Sequence, residues 1–578
     1  MANIPDGTKP TIERVDDIPV IYGMLEQMGI RAIVDNVIKP HGNWIGLNPG
    51  GVITLWLTHI LSEKNHLMEP VQQWVRRHKF ILSRLSCQRV RELDFADDRL
   101  AICLRELSDS TAWCEIENQL GRRLIRVYDL RTDRVRFDAT VGTVYHNPQS
   151  GTLFQVGKAK NGLYETQFKL MMASLDPLGL PLVVDVKPGN HADDPLYIPS
   201  YQRAKQILLR DGILVVGDSK MSALLTRGTI VTGQDCYLVP LADKKDEPML
   251  LSQLLEDWFE QGAKTVPVFL TEDMPTDGSA PDPKLAIARG FEVTRSRTVI
   301  VEGVEITWDE RLVVVQSYSY MHSILTGYHE RLDKAEAALL ALTPPRQRGK
   351  KQIEKEADLL SAIEQVEQKY RVQGCFHHDH TEEVSERHVR TYKDKPARTD
   401  RQVRYQLTVR RNQSAIQDAE FEAGWRIYAT NEAAERLSLS QTVEVYRDQI
   451  IHENIFRRLH GKMLSITPLY VQREDHAQGL VHLLTLGARV LALGDYLARE
   501  ALAEVGEELA DVYAGNAGRS TSRPTTERMF KTFDGINLVI SPSGSHGTTF
   551  LTDMRPVHEK IMALLGLSMS LFACLVSA

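Results

Sequence analysis

Two periods of hydrophobic spacing run along the chain, and the change from one to the other divides it. From Ile18 to Val37 the apolar residues Ile21, Leu25, Met28, Ile33 and Val37 recur at helical spacing, broken at Gly29. Pro40-His41-Gly42-Asn43-Trp44 predicts a turn, and helical stretches follow around 49–62, 68–86 and 97–121. Near Ile125 the period falls to two. Val135 to Val141 alternates, and Gln167 to Leu175 and Leu180 to Val186 are apolar runs joined by Asp176-Pro177-Leu178-Gly179, a hairpin by its turn chemistry. Pro195 to Leu209 suits a helix, with Asp193 and Asp194 as its caps. Gly212 to Asp218 is a wholly apolar strand ending in an acid, the kind buried on both faces.

A long insertion runs from Ser219 to about Gln441. Cys236 to Val239, Val266 to Leu270 and Thr298 to Val315 read as strands, and Tyr328 to Leu340 and Gln352 to Tyr370 as a helical hairpin around Thr343-Pro344-Pro345. The hairpin's loop, Arg346 to Lys351, is strongly basic. Arg387 to Arg411 carries Arg404, Arg410 and seven other cations over an alternating strand pattern, against Asp394 and Asp400 alone. Residues 479–505 predict an apolar helix, Asn516 to Thr526 a linker, and Ile561 to Ala578 a buried terminal helix. The pattern predicts a helical N-terminal domain over 1–125, for DNA-end binding or dimerisation. An α/β unit follows over 126–225, then the insertion over 226–441, the rest of the α/β unit over 442–510, and a linker with a C-terminal helical unit over 511–578.

Composition narrows the class. A chain of 578 residues exceeds one core and implies two to four domains. The six cysteines include no C-x-x-C pair, which points to reduced thiols in a cytosolic protein, and Met1 to Gly7 shows no signal-peptide pattern. No run of eighteen apolar residues predicts a membrane span. A net charge of −7 does not suggest a nucleic-acid binder overall, but such affinity follows local clusters, as at Arg76-Arg77-His78-Lys79 and in the 387–411 segment.

The candidate chemistry is acidic. Tyr446 to Lys462 reads as one helix whose buried arc holds Ile451, Ile455, Leu459 and Met463. Glu453 falls on the opposite side with Tyr446, Gln449, Arg457 and His460, although an ordinary Glu453–Arg457 surface pair would look the same. Asp138 sits mid-strand and Asp218 at the end of a buried strand, costly places for a carboxylate unless a cation compensates it. Three acids from two strands and a helix suit two divalent cations in phosphodiester chemistry better than a two-carboxylate glycosidase.

The order Phe137-Asp138-Ala139-Thr140, Gly217-Asp218-Ser219-Lys220-Met221, then Tyr446, Glu453 and Lys462 resembles the acid triad of the DDE transposases of bacterial insertion sequences, in the group with a β-rich insertion before the glutamate. Leu175 to Pro181, Pro188 to Pro195, Pro524 to Arg528 and Asp94 to Leu100 look like that group too. The resemblance implies an α/β ribonuclease-H-like catalytic domain with a large mixed β-rich and helical-hairpin insertion, beside an all-α N-terminal domain. It implies that Asp138, Asp218 and Glu453 bind Mg²⁺, with Mn²⁺ able to replace it. The ions serve to cut transposon ends and join the 3′-OH to target DNA. It also implies double-stranded DNA, inverted repeats and target, as partner, a homodimeric synapse, and a prokaryotic cytoplasm. The expected DNA contacts are Tyr446, Arg447, Arg457, His460, Lys462 and Lys220, with Arg404 and Arg410 on the insertion.

Departures and rivals stand beside this. Gln449 and His460 occupy places where the family has arginine and lysine, and Asn161 replaces an acid. Cys375, His377, His378 and His380 have no usual zinc spacing and read as a loop, and Trp425 reads as a core residue rather than a base-stacking one. A nuclease of the same fold without strand transfer, and a catalytically dead DNA-binding protein, remain the alternatives.

Overall fold

The computed structural model describes residues 10–148, 151–159, 162–241, 250–277, 279–345, 352–391, 396–516, 518–541 and 548–576. The basic loop Arg346 to Lys351, Asn161, and Lys393 to Lys395 of the basic segment lie outside them. The chain forms two compact units, one of residues 1–239, 296–309 and 445–578, the other of 240–295 and 310–444. The architecture is mixed α/β, with a helical N-terminal region and a large β-containing insertion.

The first unit opens with β1 (Thr11–Arg14) and the helices α1 (Ile18–Met28), α2 (Ile30–Val37), α3 (Pro49–Glu63), α4 (Glu69–Arg77), α5 (Lys79–Ser86), α6 (Asp97–Ser108) and α7 (Ser110–Val127). Gly29 separates α1 from α2 because it takes φ +79°, open to glycine at little steric cost. The stretch 97–121 is two helices, because Asp109 leaves helical geometry and its side chain accepts the Ala112 N–H at 2.8 Å as the cap of α7.

The strands follow as β2 (Arg134–Thr143), β3 (Gln155–Lys158), β4 (Tyr164–Leu175) and β5 (Leu180–Pro188), then α8 (Tyr197–Leu208), β6 (Leu214–Gly217), α9 (Leu224–Thr232) and β7 (Cys236–Leu241). In the sheet, β4 pairs antiparallel with β5 and β3 on one edge and with β2 on the other. β6 and β7 then continue it, parallel to β2. The order is β5–β4–β2–β6–β7.

Next along the chain come α10 (Leu250–Glu260), β8 (Val266–Val268), β9 (Ala288–Val301), β10 (Val304–Ser317), α11 (Tyr318–Leu340), α12 (Glu356–Tyr370), β11 (Phe376–Val389), β12 (Arg398–Arg411), α13 (Gln413–Glu422), β13 (Trp425–Thr430) and α14 (Leu439–Arg447), all in the second unit save residues 296–309 and 445–447. Thr298 to Val315 is not one run: it turns at Glu302-Gly303, and both residues have positive φ. The unit has its own core, where Leu332, Leu339, Leu359 and Ile363 of the helical hairpin pack on Phe376 and Leu407 of the β11–β12 ribbon. Phe376 to His380 is therefore strand rather than loop, with Cys375 in the bend before it. Cys375 is buried with its Sγ 3.1 Å from the Tyr328 hydroxyl, and His378 and His380 face Glu367 and Glu356. Trp425 is buried, as a core residue should be.

The chain returns through α15 (Ile450–His460), α16 (Glu474–Val505), α17 (Thr526–Lys531), β14 (Asn537–Ser541), β15 (Thr548–Leu551), α18 (Pro556–Leu564) and α19 (Ser570–Val576). α16 is the hub of the first unit, packing on α3, α6 and β5. Gly479 lets α6 come close, since a Cβ there would fall 1.9 Å from the Leu104 carbonyl oxygen. Arg489 of α16 is fully buried and donates to Glu117 of α7 at 2.6 Å and to the Pro181 and Leu182 carbonyls of β5. The expected terminal helix breaks at Gly566, φ +65°. The C-terminal segment is not wholly helical either: β14 pairs with β15 and, antiparallel, with β1.

Candidate active site

Two of the three acids meet through strand register. In the parallel pairing of β2 and β6, Phe137 lies opposite Gly217, so Asp138 and Asp218 follow one step on from adjacent strands. Parallel neighbours run about 4.8 Å apart, and side chains at matching positions leave the same face. The core holds both strands in place, because Val135 and Phe137 are buried on β2 and Leu214 to Gly217 are buried throughout. Both carboxylates are half-buried.

Each carboxylate is held. Asp138 Oδ1 accepts the Ala139 N–H at 2.7 Å. Asp218 Oδ1 accepts the Tyr197 hydroxyl at 2.7 Å and the Lys220 N–H at 2.8 Å. Burial raises the Tyr197 phenol's pKa, followed by the charges of Asp218 and then Asp138, so it stays a donor throughout the physiological range.

Glu453 is exposed on α15 and shares a cavity of about 660 Å³ with Asp138, Thr140, Glu165, Arg457 and His460. Three anchors fix that helix. Ile455, Phe456 and Leu459 are buried. His452 is buried, with Nδ1 2.7 Å from the Ser174 Oγ of β4. Arg458 pairs with Asp495 of α16 at 2.7 Å and with Glu527 of α17 at 2.9 Å. Burial and the nearby Arg136 guanidinium push the His452 imidazole down to about 3, so it is neutral.

The helix itself is shorter than its sequence pattern. Tyr446 to Lys462 is not one helix: the Tyr446 carbonyl accepts the Gln449 N–H at 3.2 Å, a tight i,i+3 turn that ends α14 before α15 begins at Ile450. Tyr446 and Glu453 thus stand on different helices. Ile450 is exposed and Ile451 half-buried, so the buried arc is turned toward His452 and Phe456.

Among the described residues no three His, Cys, Asp or Glu side chains come together closely enough to hold a metal ion. The donor set is chemically right for magnesium, being carboxylate oxygen only. The geometry brings Asp138 beside Asp218 and Asp138 to a common cavity with Glu453, without closing all three into one ligand group.

The expected DNA contacts separate in the same way. Arg457 and His460 line the cavity with Glu453; Arg457 donates to Asn454 Oδ1 at 3.0 Å, and His460 Nδ1 is 3.5 Å from Thr467 Oγ1. Arg447, Lys220 and Lys462 are exposed, and Tyr446 is half-buried. In the other unit, Arg404 pairs with Glu383 at 2.7 Å and Arg410 with Asp379 at 3.3 Å. The segment looks basic only when β12 is read alone, because its partner β11 lays Asp379, Glu382 and Glu383 alongside. Asp193 does not cap α8 through its side chain; it takes the Lys169 ammonium instead.

Tyr197, Ser174, His452 and Glu165 escape the sequence reading. His452 lies next to Glu453 and its burial follows from helical spacing, whereas Tyr197 reaches Asp218 only through tertiary packing.

No family model matches the chain, and no curated protein matches it. Among solved structures it is similar to the piggyBac transposase in a synaptic complex with hairpin DNA, at 8% identity and a TM-score of 0.33, over 91% of this chain and 82% of that one. A likeness at that level is too slight to define a fold.

Proposed function

We propose that the chain is a DNA transposase that cleaves the ends of an insertion sequence and joins the freed 3′-OH to target DNA, with a ribonuclease-H-like catalytic unit. The observation that carries this is the β2–β6 register, which sets Asp138 beside Asp218 while Glu453 faces the cavity that Asp138 lines. The strand order β5–β4–β2–β6–β7, antiparallel for the first three and parallel for the rest, supports the fold reading. Asp138, Asp218 and Glu453 would hold Mg²⁺, or Mn²⁺ in its place, which when bound supplies activation of the attacking oxygen and stabilisation of the leaving one. Tyr197 keeps Asp218 oriented, and Arg457 and His460 offer donors to a phosphate entering the cavity. The partner is double-stranded DNA, engaged by two copies of the chain.

The test is a Mg²⁺ reaction on duplexes carrying the inverted repeats that flank the gene, resolved on a denaturing gel. Cleaved ends and joined 3′-OH products are expected, and Asp138→Ala, Asp218→Ala or Glu453→Ala should each abolish both while duplex binding persists. Cleavage without joined products would make the protein a nuclease.

A second reading is favoured by one specific observation, the lack of a three-ligand group among the described residues. Together with Gln449 and His460 in place of a cationic pair, it describes a transposase-derived protein that binds DNA without cutting it. Binding with no cleavage in either Mg²⁺ or Mn²⁺ would select that reading.

A further inference from the structure

A second cavity, of about 720 Å³, opens beyond the C-terminal end of α15. Lys64, Lys462, Arg528, Lys531 and Arg555 line it, five cations from four separate stretches of chain, against the carboxylates of Asp511, Glu527 and Asp534. Glu527 is already taken by Arg458. Lys64, Lys462 and Lys531 are exposed and form no ion pair among the described residues. Long cationic side chains that line an open cavity without forming an ion pair mark a place for an anion.

The wall of the cavity is built to present guanidinium groups. The ring of Tyr513 carries Arg528 with its guanidinium carbon 4.0 Å from the ring centroid and Arg519 at 4.1 Å. Neither arginine has a carboxylate partner among the described residues. Stacking orients a guanidinium while leaving its N–H edge available, the arrangement that suits phosphate oxygens. The wall is also fixed to the candidate active site. The N–H and hydroxyl of Thr526 bond to Asp495 at 2.7 and 2.9 Å, and Asp495 holds Arg458 of α15. Lys462 follows by two residues His460, which lines the first cavity.

We propose that this cavity grips the sugar–phosphate backbone of duplex DNA continuing away from the cleavage site, and contacts phosphates rather than bases. Charges spread over four stretches of chain suit a polyanion better than a single phosphate. The inference rests on the reading of the protein as one that acts on DNA, and it adds the path the duplex takes.

Fluorescence anisotropy of the full chain with labelled duplexes, over a sodium chloride series, tests it. Arg528→Gln/Lys531→Gln should weaken binding to a terminal-repeat duplex and to an unrelated duplex by the same factor, tenfold or more. It should also make the slope of log K against log salt shallower by about 0.9 for each phosphate that the variant no longer neutralises. Lys64→Gln, at an exposed position on another stretch of the lining, should flatten the slope in the same way and stands in if the double variant unfolds. Millimolar inorganic phosphate should not displace the duplex. Wild-type affinity and slope in both variants, with unchanged melting, would overturn the inference and leave the proposed function standing. Displacement by millimolar phosphate would replace it with a small-anion site. No binding of any duplex by the wild type would remove the proposed function as well.

Discussion

Ser174 Oγ lies 2.7 Å from Nδ1 of His452, a bond that ties β4 of the sheet to the helix bearing Glu453. The other ring nitrogen, Nε2, is buried and has no hydrogen-bond partner among the described residues, so this bond and the edge-on contact with Phe456 set the ring's orientation. Because His452 precedes Glu453 on α15, the bond also anchors the turn of helix from which the carboxylate projects. His452→Leu should therefore lower end cleavage by tenfold or more and leave duplex affinity within about twofold. Equal losses in both would assign His452 to general folding instead.

Asp138 and Asp218 stand side by side on adjacent strands, and like charges at that spacing repel. Asp138→Asn or Asp218→Asn should abolish cleavage while leaving the melting temperature in chelator equal to or above that of the wild type. Addition of Mg²⁺ should raise the wild-type melting temperature and leave that of the variants unchanged. A variant that melts lower than wild type in chelator would show that the carboxylates are structural.

Asp495 is buried and serves Arg458, Arg499 and the N–H and hydroxyl of Thr526 together. Removing the carboxylate leaves Arg458 with Glu527 and Arg499 with the Pro524 carbonyl, but strands the buried Thr526 N–H, a loss of about 1–3 kcal/mol for an unsatisfied buried donor. Asp495→Ala should show this in urea unfolding. A change below about 1 kcal/mol would mean that the Thr526 N–H finds another acceptor.

His482 stacks on Trp113 with ring centroids 4.2 Å apart and its Nδ1 2.7 Å from the Leu107 carbonyl. Burial pushes its imidazole down to about 3. The unfolded chain binds a proton at this residue below about pH 6.5 and the native chain does not, so stability is fully present above that pH and falls as pH drops toward 3. His482→Phe keeps a ring against Trp113 and removes the proton site. Between pH 7 and pH 5 the wild type should lose about 2 kcal/mol more than this variant, read from urea midpoints. Parallel losses would show that His482 titrates normally in the native state.

Much of the fold is legible because periodicity reports burial. Val135, Phe137 and the Leu214 to Gly217 run are in the core, and they give β2 and β6 directly. The register that joins Asp138 to Asp218 is not in either strand; it comes from pairing. The break between Arg447 and Ile450 is hidden because apolar spacing continues across it, so one helix is expected where two stand. The reading of β12 as a basic surface fails for a related reason, since the carboxylates that meet Arg404 and Arg410 belong to another strand.

Several residues in the stretches that carry the family resemblance act as anchors. Asp176 is buried between Arg134 and Arg136, Asp94 takes Arg91, and Glu527 takes Arg458. Local sequence marks such positions without revealing which of them touch substrate.

The pairing of β1 with β14, Arg14 against Asn537, has a consequence for how the protein is made. A nascent chain emerges at about 5–20 residues per second. The first strand leaves the ribosome tens of seconds before its neighbour exists, and until then it is an open edge that another molecule could pair with. Completion of this small sheet is thus a late event in biogenesis, after the segments that build the larger sheet have already been translated.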